Sequence, residues 1–425
     1  MIDFPNILSH RLFKNASIYT ITNTIRQAIP FFLLPVLTRY LTPSDYGIVA
    51  TFEVILLLTM ILIELNTCGA IGVNFFKLER EKLKIYIGNV ILISVISFIL
   101  TFTVIYIFRP FLSSLIKFPE NWLSIFPIVA LSQFFIVLVL TLWQVEETAL
   151  PYGIFQILQS SLDISLSLIF VIILYWKWQG RIAGTAIASI IFAFISILIL
   201  RKRNYIAFSL NKDYIKDALL FGIPLIPHVL GSWIMSSIGR IFINSMINVR
   251  ETGIYTVGCQ VGMIIGLLVA SFNKAWTPFL YRKLNENNHS TNLKIVKLTY
   301  LYNAGIIILA LVLSLAAPFF LKFFVSDKFY SAYKYVKWVA IGYAFQGMYF
   351  MVANYIFYMK KTYVLSGITF FCAIINIILN YFLIKNNGAI GAAQAMTITF
   401  FLFFILTWIL SARIYKMPWL LWKLR

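Results

Sequence analysis

Twelve apolar stretches, each long enough to cross a bilayer as a helix, follow one another along this 425-residue chain. A membrane helix needs about 20 apolar residues to cross a hydrocarbon layer of about 30 Å. Lipid offers no hydrogen-bond partners to free backbone groups, so such spans are helical unless protein or water lines them. We therefore predict an all-α integral membrane protein with twelve spans, at 15–38, 46–68, 86–108, 122–143, 152–175, 182–200, 217–247, 253–277, 298–321, 335–358, 363–384 and 389–412.

The composition excludes an ordinary soluble domain. Hydrophobic residues make up 61% of the chain and charged residues only 12%, whereas soluble domains are about half apolar and about a quarter charged. The formal net charge of +20 comes from bases lying between the apolar runs, so membrane topology explains it better than nucleic-acid binding. The three cysteines form no disulfide framework or metal-ligand spacing,, and the N-terminus has no signal-peptide cleavage site, which predicts a retained first helix.

The positions of the bases predict the orientation. Lys and Arg are more frequent in the segments that are cytoplasmic when the N-terminus is inside, as the positive-inside rule requires,. The loop 144–150 is an exception because it carries Glu146 and Glu147 and no base, but acids contribute little to that rule. We therefore expect both termini in the cytoplasm.

Two short similarities suggest that the chain consists of two related halves. Asp45-Tyr46-Gly47-Ile48 resembles Glu251-Thr252-Gly253-Ile254 at an offset of 206, and Gly184–Ala188 resembles Gly391–Ala395 at an offset of 207. We predict a six-helix half at 1–200, a cytoplasmic linker at 201–216 and a second half at 217–425. Six spans per half imply a pseudo-symmetry axis along the membrane normal and a cavity between the halves. Accidental small-residue packing at helix contacts is the alternative.

Cations inside the apolar spans are the candidate functional residues. An ionisable side chain that faces lipid is costly, so such residues mark protein interiors or wet cavities. Arg26 lies near the middle of the first span, Arg240 lies in the seventh, and Lys274 lies near the inner end of the eighth, where it can also snorkel to the headgroups,. Polar residues at helical spacing around the two arginines are expected to line a cavity: Asn23, Gln27, His228, Ser232 and Ser236,.

Two prolines precede the polar stripe of the seventh span. Pro224 and Pro227 cannot donate backbone hydrogen bonds, so we expect a kink or a local unwinding there,. Such an interruption is a candidate hinge in a moving bundle.

Three acids also lie in predicted spans: Glu53, Glu64 and Asp163. They are candidates for proton or cation coupling, and equally for pairing with the arginines. In the structural interpretation, Arg–Glu and Arg–Asp pairs lock the helices together. In the functional interpretation, Arg26 and Arg240 attract an anionic substrate, because a guanidinium group matches phosphate oxygens bidentately.

Several catalytic and cofactor motifs are absent from the sequence. There is no GxxxxGK[ST] phosphate loop, no HExxH motif and no paired-cysteine motif,. We therefore expect no ATP hydrolysis by this chain, no enzymatic activity, no cofactor and no metal site. A proton or sodium gradient would then supply the energy for any uphill step.

Two segments resemble a known family. Residues 221–268 are similar to the opening of the second half of polysaccharide-export flippases, and residues 38–53 are similar to an earlier part of the same proteins. These are the Wzx-type O-antigen flippases of the multidrug/oligosaccharidyl-lipid/polysaccharide (MOP) exporter superfamily. The carrying motif is Gly222-Ile223-Pro224-x-x-Pro227-His228, followed by Glu251-x-Gly253-Ile254-Tyr255. Relatives often have an acid before the arginine of the seventh span, where this chain has Gly239.

The resemblance implies a MATE-like fold and a substrate. It implies a flippase that moves undecaprenyl-diphosphate-linked oligosaccharide repeat units across the bacterial inner membrane by alternating access, for O-antigen, lipopolysaccharide or other surface polysaccharide biosynthesis. The diphosphate would be bound by Arg26, Arg240 and Lys274. A polysaccharide polymerase could be a partner.

Other functions remain open at this point. A cation-coupled multidrug exporter of the same superfamily would need a cavity dominated by acids. A polysaccharide polymerase or glycosyltransferase usually needs a large polar loop or an aspartate-rich site, and the sequence shows neither. A non-catalytic scaffold would not require so many charges inside spans.

Overall fold

The helices of this chain follow the predicted apolar spans. The computed structural model describes residues 22, 29, 31, 33–285, 289–359 and 361–419. These residues contain no β-strand; residues 33–40 are helical, and the helices that follow are α1 Pro43–Glu64, α2 Thr67–Asn74, α3 Arg80–Ile107, α4 Arg109–Ile116, α5 Ile125–Val145, α6 Ala149–Leu168, α7 Lys177–Lys202, α8 Lys212–Gly222, α9 Ile226–Met246, α10 Val249–Asn285, α11 His289–Phe324, α12 Tyr333–Tyr358, α13 Thr362–Asn387 and α14 Ile390–Ile414.

The prediction of an all-α multi-pass membrane protein is confirmed. Within the described ranges, ten helices are long and apolar enough to cross a membrane. Most of the first predicted span, 15–38, lies outside the described residues. The tenth predicted span is α12, which is a 26-residue helix but is not among the ten. It is rich in tyrosine and packs against α10, α11 and α14, so it needs little apolar surface for lipid.

Two of the helices are longer than the membrane requires. Helix α10 has 37 residues and α11 has 36, which correspond to lengths of about 55 Å at 1.5 Å per residue. The hydrocarbon layer is only about 30 Å thick, so both helices extend beyond it. The predicted spans 253–277 and 298–321 are therefore the apolar parts of longer helices.

The predicted kink in the seventh span is present. Helix α8 ends at Gly222, a 3-10 turn covers Ile223–Leu225, and α9 begins at Ile226. Pro224 lies in the 3-10 turn and Pro227 lies in the first turn of α9, where its missing N–H breaks no helical hydrogen bond,. Whether this interruption acts as a hinge stays a prediction.

The chain forms two compact units. The first comprises 1–33 and 48–230, and the second comprises 34–47 and 231–425. The first unit therefore includes the linker 201–216. It also includes residues 217–230, the beginning of the seventh span, which the sequence analysis placed in the second half.

Hydrogen bonds to α3 explain why the linker belongs to the first unit. The backbone N–H of Ala207 donates to Lys84 O at 3.2 Å, and Gly88 allows this approach because a Cβ there would lie 2.2 Å from Ala207 O. The Asn89 amide donates to Ser209 O at 2.8 Å, and its oxygen accepts from the Asn211 N–H at 3.0 Å. Asn211 in turn caps α8,.

Inside the second unit, the repeated motif makes a reciprocal contact. A Cβ on Gly47 would lie 1.9 Å from Val249 O, and a Cβ on Gly253 would lie 2.0 Å from Pro43 O. Pro43 and Val249 are separated by 206 residues, and so are Gly47 and Gly253, so the two contacts are equivalent. Such reciprocal contacts are expected when the two helix starts are related by a two-fold axis.

The helix caps repeat at the same offset. The Asp45 N–H donates to Thr42 Oγ1 at 3.1 Å, and the Glu251 N–H donates to Asn248 Oδ1 at 2.8 Å. Since equivalent residues perform equivalent roles, an internal duplication explains the motif better than accidental packing of small residues.

Candidate functional site

Arg240 lies in a polar region of the second unit. It belongs to α9 and is half-buried. Its side chain hydrogen-bonds the Cys259 thiol of α10 and lies close to the hydroxyls of Tyr255 and Tyr343. These neighbours place the guanidinium among hydroxyl and thiol groups inside the second unit.

Two buried asparagines of α13, Asn376 and Asn380, lie next to this region. We call them the α13 amide pair. Both are 1% exposed. Asn376 donates to Thr399 Oγ1 at 2.9 Å, and Asn380 donates to the backbone and side-chain oxygens of Asn376 at 2.8 and 3.0 Å. The sequence signal for this pair, two asparagines one helical turn apart in an apolar span, was overlooked.

Gly239 precedes Arg240 and lies against the α13 amide pair. An ideal Cβ on Gly239 would lie 3.1 Å from Asn380 Oδ1, 3.2 Å from the Ala392 Cβ and 3.6 Å from the Tyr255 hydroxyl. The absence of a side chain therefore lets α9 approach α13 and α14 beside Arg240. An acidic side chain at this position would need these neighbours to move.

Two of the polar residues on the stripe of the seventh span are accessible on the surface of α9. Ser232 and Ser236 are exposed, and the Ser236 hydroxyl donates within its own helix, to Ser232 O at 3.1 Å. His228 is half-buried. All three share α9 with Arg240, at the predicted intervals of four residues.

Lys274 does not lie near Arg240. It is exposed on α10, fifteen residues beyond Cys259, which corresponds to about 22 Å along the helix. A lysine side chain reaches far less than that distance, so one diphosphate cannot contact both cations here. Beside Lys274, Asn354 donates to Asn273 Oδ1 at 2.9 Å and forms a second buried amide contact.

Three of the predicted cavity residues, Arg26, Asn23 and Gln27, lie outside the described residues. Their roles stay predictions.

Asp163 pairs with an arginine that the sequence analysis did not single out. Arg181 Nη1 lies 2.8 Å from Asp163 Oδ1 and also 2.8 Å from Ser167 Oγ and from Thr185 Oγ1. The Thr185 hydroxyl donates to the same carboxylate oxygen at 2.9 Å. We call these four residues the Asp163–Arg181 network. Arg181 was overlooked because the sixth span was predicted to begin at 182, whereas α7 begins at Lys177.

The other two acids lie in α1. Glu64 is half-buried and hydrogen-bonds the Cys68 thiol of α2. Glu53 is half-buried in α1, five residues after Ile48, where the part of this helix that belongs to the first unit begins. Of these acids, Asp163 therefore pairs with an arginine and Glu64 contacts a thiol.

At the predicted cytoplasmic end of the first unit, acids and tyrosines hold the linker. Arg203 Nη1 donates to Glu146 Oε2 at 2.7 Å, and the Tyr205 hydroxyl donates to the other carboxylate oxygen. Burial, with the hydrogen bond to Glu146, raises the pKa of Tyr205 to about 12,. The acidic loop that departed from the positive-inside pattern therefore has a structural partner in the basic linker.

Comparison with known proteins identifies the family. The family model described as "Polysaccharide biosynthesis protein" matches residues 12–284, about two thirds of the chain. The chain belongs to the polysaccharide biosynthesis protein family. A second model, described as "MatE", matches residues 224–382. A membrane protein of Haemophilus influenzae, described as uncharacterized, is 27% identical over 374 residues, which cover 86% of this chain and 87% of the relative.

Solved structures share the fold. An inward-facing multidrug resistance MATE family transporter of the MOP superfamily aligns with a TM-score of 0.70 at 17% identity and covers 91% of this chain and 94% of that one. The lipid II flippase MurJ in an inward closed conformation aligns with a TM-score of 0.72 at 16% identity and covers 95% and 87%. The expected MATE-like fold of two six-helix halves is thus confirmed.

Proposed function

We propose that this member of the polysaccharide biosynthesis protein family is a flippase for undecaprenyl-diphosphate-linked oligosaccharide repeat units. It moves them across the bacterial inner membrane by alternating access, for O-antigen or another surface polysaccharide. A headgroup of diphosphate and sugars is too polar to cross hydrocarbon unaided, so it needs a protein path. The family match over residues 12–284 supports a role in polysaccharide biosynthesis.

The observation that carries the proposal is the setting of Arg240. A charged guanidinium lies in the interior of an apolar unit, among the hydroxyls of Tyr255 and Tyr343 and the thiol of Cys259. Guanidinium binds phosphate oxygens bidentately, and the low dielectric of the interior strengthens that contact. We assign the diphosphate to Arg240, with Arg26 as the second predicted cation. Lys274 is too far along α10 to share this site.

The energy source and the partners belong to the same proposal. The sequence has no nucleotide-binding motif, so we propose coupling to a proton or sodium gradient, with Glu53 and Glu64 as the candidate coupling acids. Asp163 is less suited to that role because Arg181 binds it. We propose that both termini are cytoplasmic, as the distribution of bases requires, and that a polysaccharide polymerase acts on the translocated units.

The test uses a deletion strain complemented with variants at position 240. Arg240→Gln removes the charge and Arg240→Lys keeps it without the bidentate geometry. We expect Arg240→Gln to abolish surface polysaccharide and Arg240→Lys to retain part of it, with unchanged amounts of protein in the membrane. Lys274→Gln is the control and should export normally. Lipid-linked sugar should accumulate in the cytoplasmic leaflet of the deletion strain; normal export by Arg240→Gln would contradict the assignment of this residue.

A second candidate function is export of cationic drugs. The match of the MatE model to residues 224–382 favours it, whereas the interior charge of Arg240 opposes it, since a cationic drug would be repelled. Deletion distinguishes the two functions. A drug exporter predicts greater sensitivity to lipophilic cations with normal surface polysaccharide, and a flippase predicts the reverse.

A further inference from the structure

An apolar groove with two lysines at one end lies on the surface of the first unit. Its volume is about 410 Å³, and it is lined by one stripe of α8 and by the following 3-10 turn: Lys212, Ile215, Lys216, Leu219, Leu220, Ile223 and Pro224. The spacing of the α8 residues, at i, i+3, i+4, i+7 and i+8, places them on one face of the helix. The proposed translocation does not use this groove.

The polar and apolar parts of the groove are arranged in order along the helix. Lys212 and Lys216 are exposed in the first two turns of a candidate membrane span. Leu220 and Ile223 follow and are 65% and 50% exposed. From Lys216 to Ile223 the helix rises about 10 Å, so the amines lie at headgroup depth when the apolar side chains contact acyl chains.

The charges around the groove favour an anion. No carboxylate in the described part of the chain lies within 4.0 Å of either amine. Asp217, on the same helix, is exposed, but its carboxylate accepts hydrogen bonds from Tyr86 at 2.8 Å and from Asn74 at 2.9 Å, and it does not line the groove. Asp213 is exposed, but the stripe that lines the groove does not include it.

We propose that this groove binds one anionic glycerophospholipid of the surrounding membrane, with its phosphate at Lys212 and Lys216 and an acyl chain along Leu219, Leu220 and Ile223. A phosphodiester with net charge −1 complements the two amines, whereas a choline headgroup would add a third cation. Because Pro224 belongs to the groove, the lipid contacts both α8 and the 3-10 turn that interrupts the seventh span.

The test is native mass spectrometry of the detergent-purified full chain titrated with phosphatidylglycerol or phosphatidylcholine. Each base near a membrane surface contributes about fivefold to the affinity for anionic lipid. We therefore expect K212Q/K216Q to weaken phosphatidylglycerol binding about 25-fold and K212R/K216R to retain it. The matched control is K294Q/K297Q, which removes two exposed lysines at the start of α11 and should bind phosphatidylglycerol as the parent does.

Three results would overturn the proposal. The first is equal retention of phosphatidylglycerol by the parent and by K212Q/K216Q. The second is an equal loss of binding in K212Q/K216Q and in the control K294Q/K297Q, which would indicate a general effect of charge. The third is displacement of phosphatidylglycerol by equimolar undecaprenyl phosphate, which would assign the groove to the carrier lipid. A fourth variant, L220Q/I223Q, keeps both lysines and should bind phosphatidylglycerol more weakly, since it removes the acyl-chain surface. Phosphatidylglycerol binding is measured without the lipid-linked oligosaccharide, so a failure of this proposal leaves the proposed transport function untouched.

Discussion

Removing one member of the Asp163–Arg181 network should destabilise the first unit and should show whether Asp163 has a structural role. The side chains of Arg181 and Asp163 are only 12% and 22% exposed, and their charged atoms are 2.8 Å apart. Asp163→Ala removes the carboxylate that lies 2.8 Å from the guanidinium and keeps the hydroxyls of Ser167 and Thr185 beside it. Losing one partner of a buried pair costs about 3–5 kcal/mol, and we expect about 3 kcal/mol here because the pair is not fully buried.

A double-mutant cycle separates the pair from its surroundings. Arg181→Ala and the double variant complete the cycle, and the double variant should be more stable than Asp163→Ala by at least about 1 kcal/mol because it carries no uncompensated charge. The free energy of unfolding is measured in detergent by denaturant titration, followed through tryptophan fluorescence. A loss below about 0.5 kcal/mol in Asp163→Ala would refute the argument, since that value is typical of a surface pair.

The same variants decide between the two interpretations of Asp163. Asp163→Asn keeps an acceptor oxygen and loses the charge, so a structural role predicts moderate destabilisation with transport retained. A coupling role predicts the opposite result, loss of transport with little change in the free energy of unfolding. Surface polysaccharide and unfolding are measured on the same variant.

Three further predictions concern packing, the linker and pH. Gly239→Ala should lower the free energy of unfolding by about 1–3 kcal/mol through overpacking beside the α13 amide pair. The control Gly305→Ala has open space around its Cβ position and should be neutral or stabilising. Equal effects of the two substitutions would contradict the close approach at Gly239. Asn89→Ala should make the linker more sensitive to trypsin, because two of its hydrogen bonds hold that segment; unchanged cleavage would contradict this role. Folding raises the pKa of Tyr205 from 10.0 to about 12. The hydroxyl of Tyr205 therefore contributes fully to the free energy of unfolding below pH 10, and this contribution is lost as the pH rises from 10 to 12. Tyr205→Phe should abolish that part of the pH dependence of unfolding.

The sequence predicted the helices well because hydropathy directly reports contact with lipid. It also predicted the interruption at Pro224, since a missing N–H is a local property. Boundaries were less accurate. The sixth span was placed at 182–200, whereas α7 covers Lys177–Lys202, so Arg181 was counted as a loop residue. A charged residue one turn inside a helix end is hard to distinguish from a loop residue by hydropathy alone.

Pairings between helices could not be predicted from a single sequence. Asp163 had several possible arginine partners, and only the packing of α6 against α7 selected Arg181. The α13 amide pair was not predicted, because hydropathy alone does not distinguish a buried, hydrogen-bonded asparagine from one elsewhere in an apolar span. In contrast, the motif repeated at an offset of 206 predicted a duplication, and the reciprocal contacts of Gly47 and Gly253 provide its structural counterpart.

The central claim is that this chain carries a lipid-linked oligosaccharide across a bilayer. The most direct measurement reconstitutes the purified protein into vesicles containing lipid-linked oligosaccharide extracted from the deletion strain, and follows the fraction of sugar open to an added glycosidase. Transbilayer movement by the parent protein should raise this fraction from about half, as expected for a random distribution over two leaflets, to nearly all, and Arg240→Gln should leave it at about half. A fraction that stays at about half with the parent protein, under both proton and sodium gradients, would contradict the account.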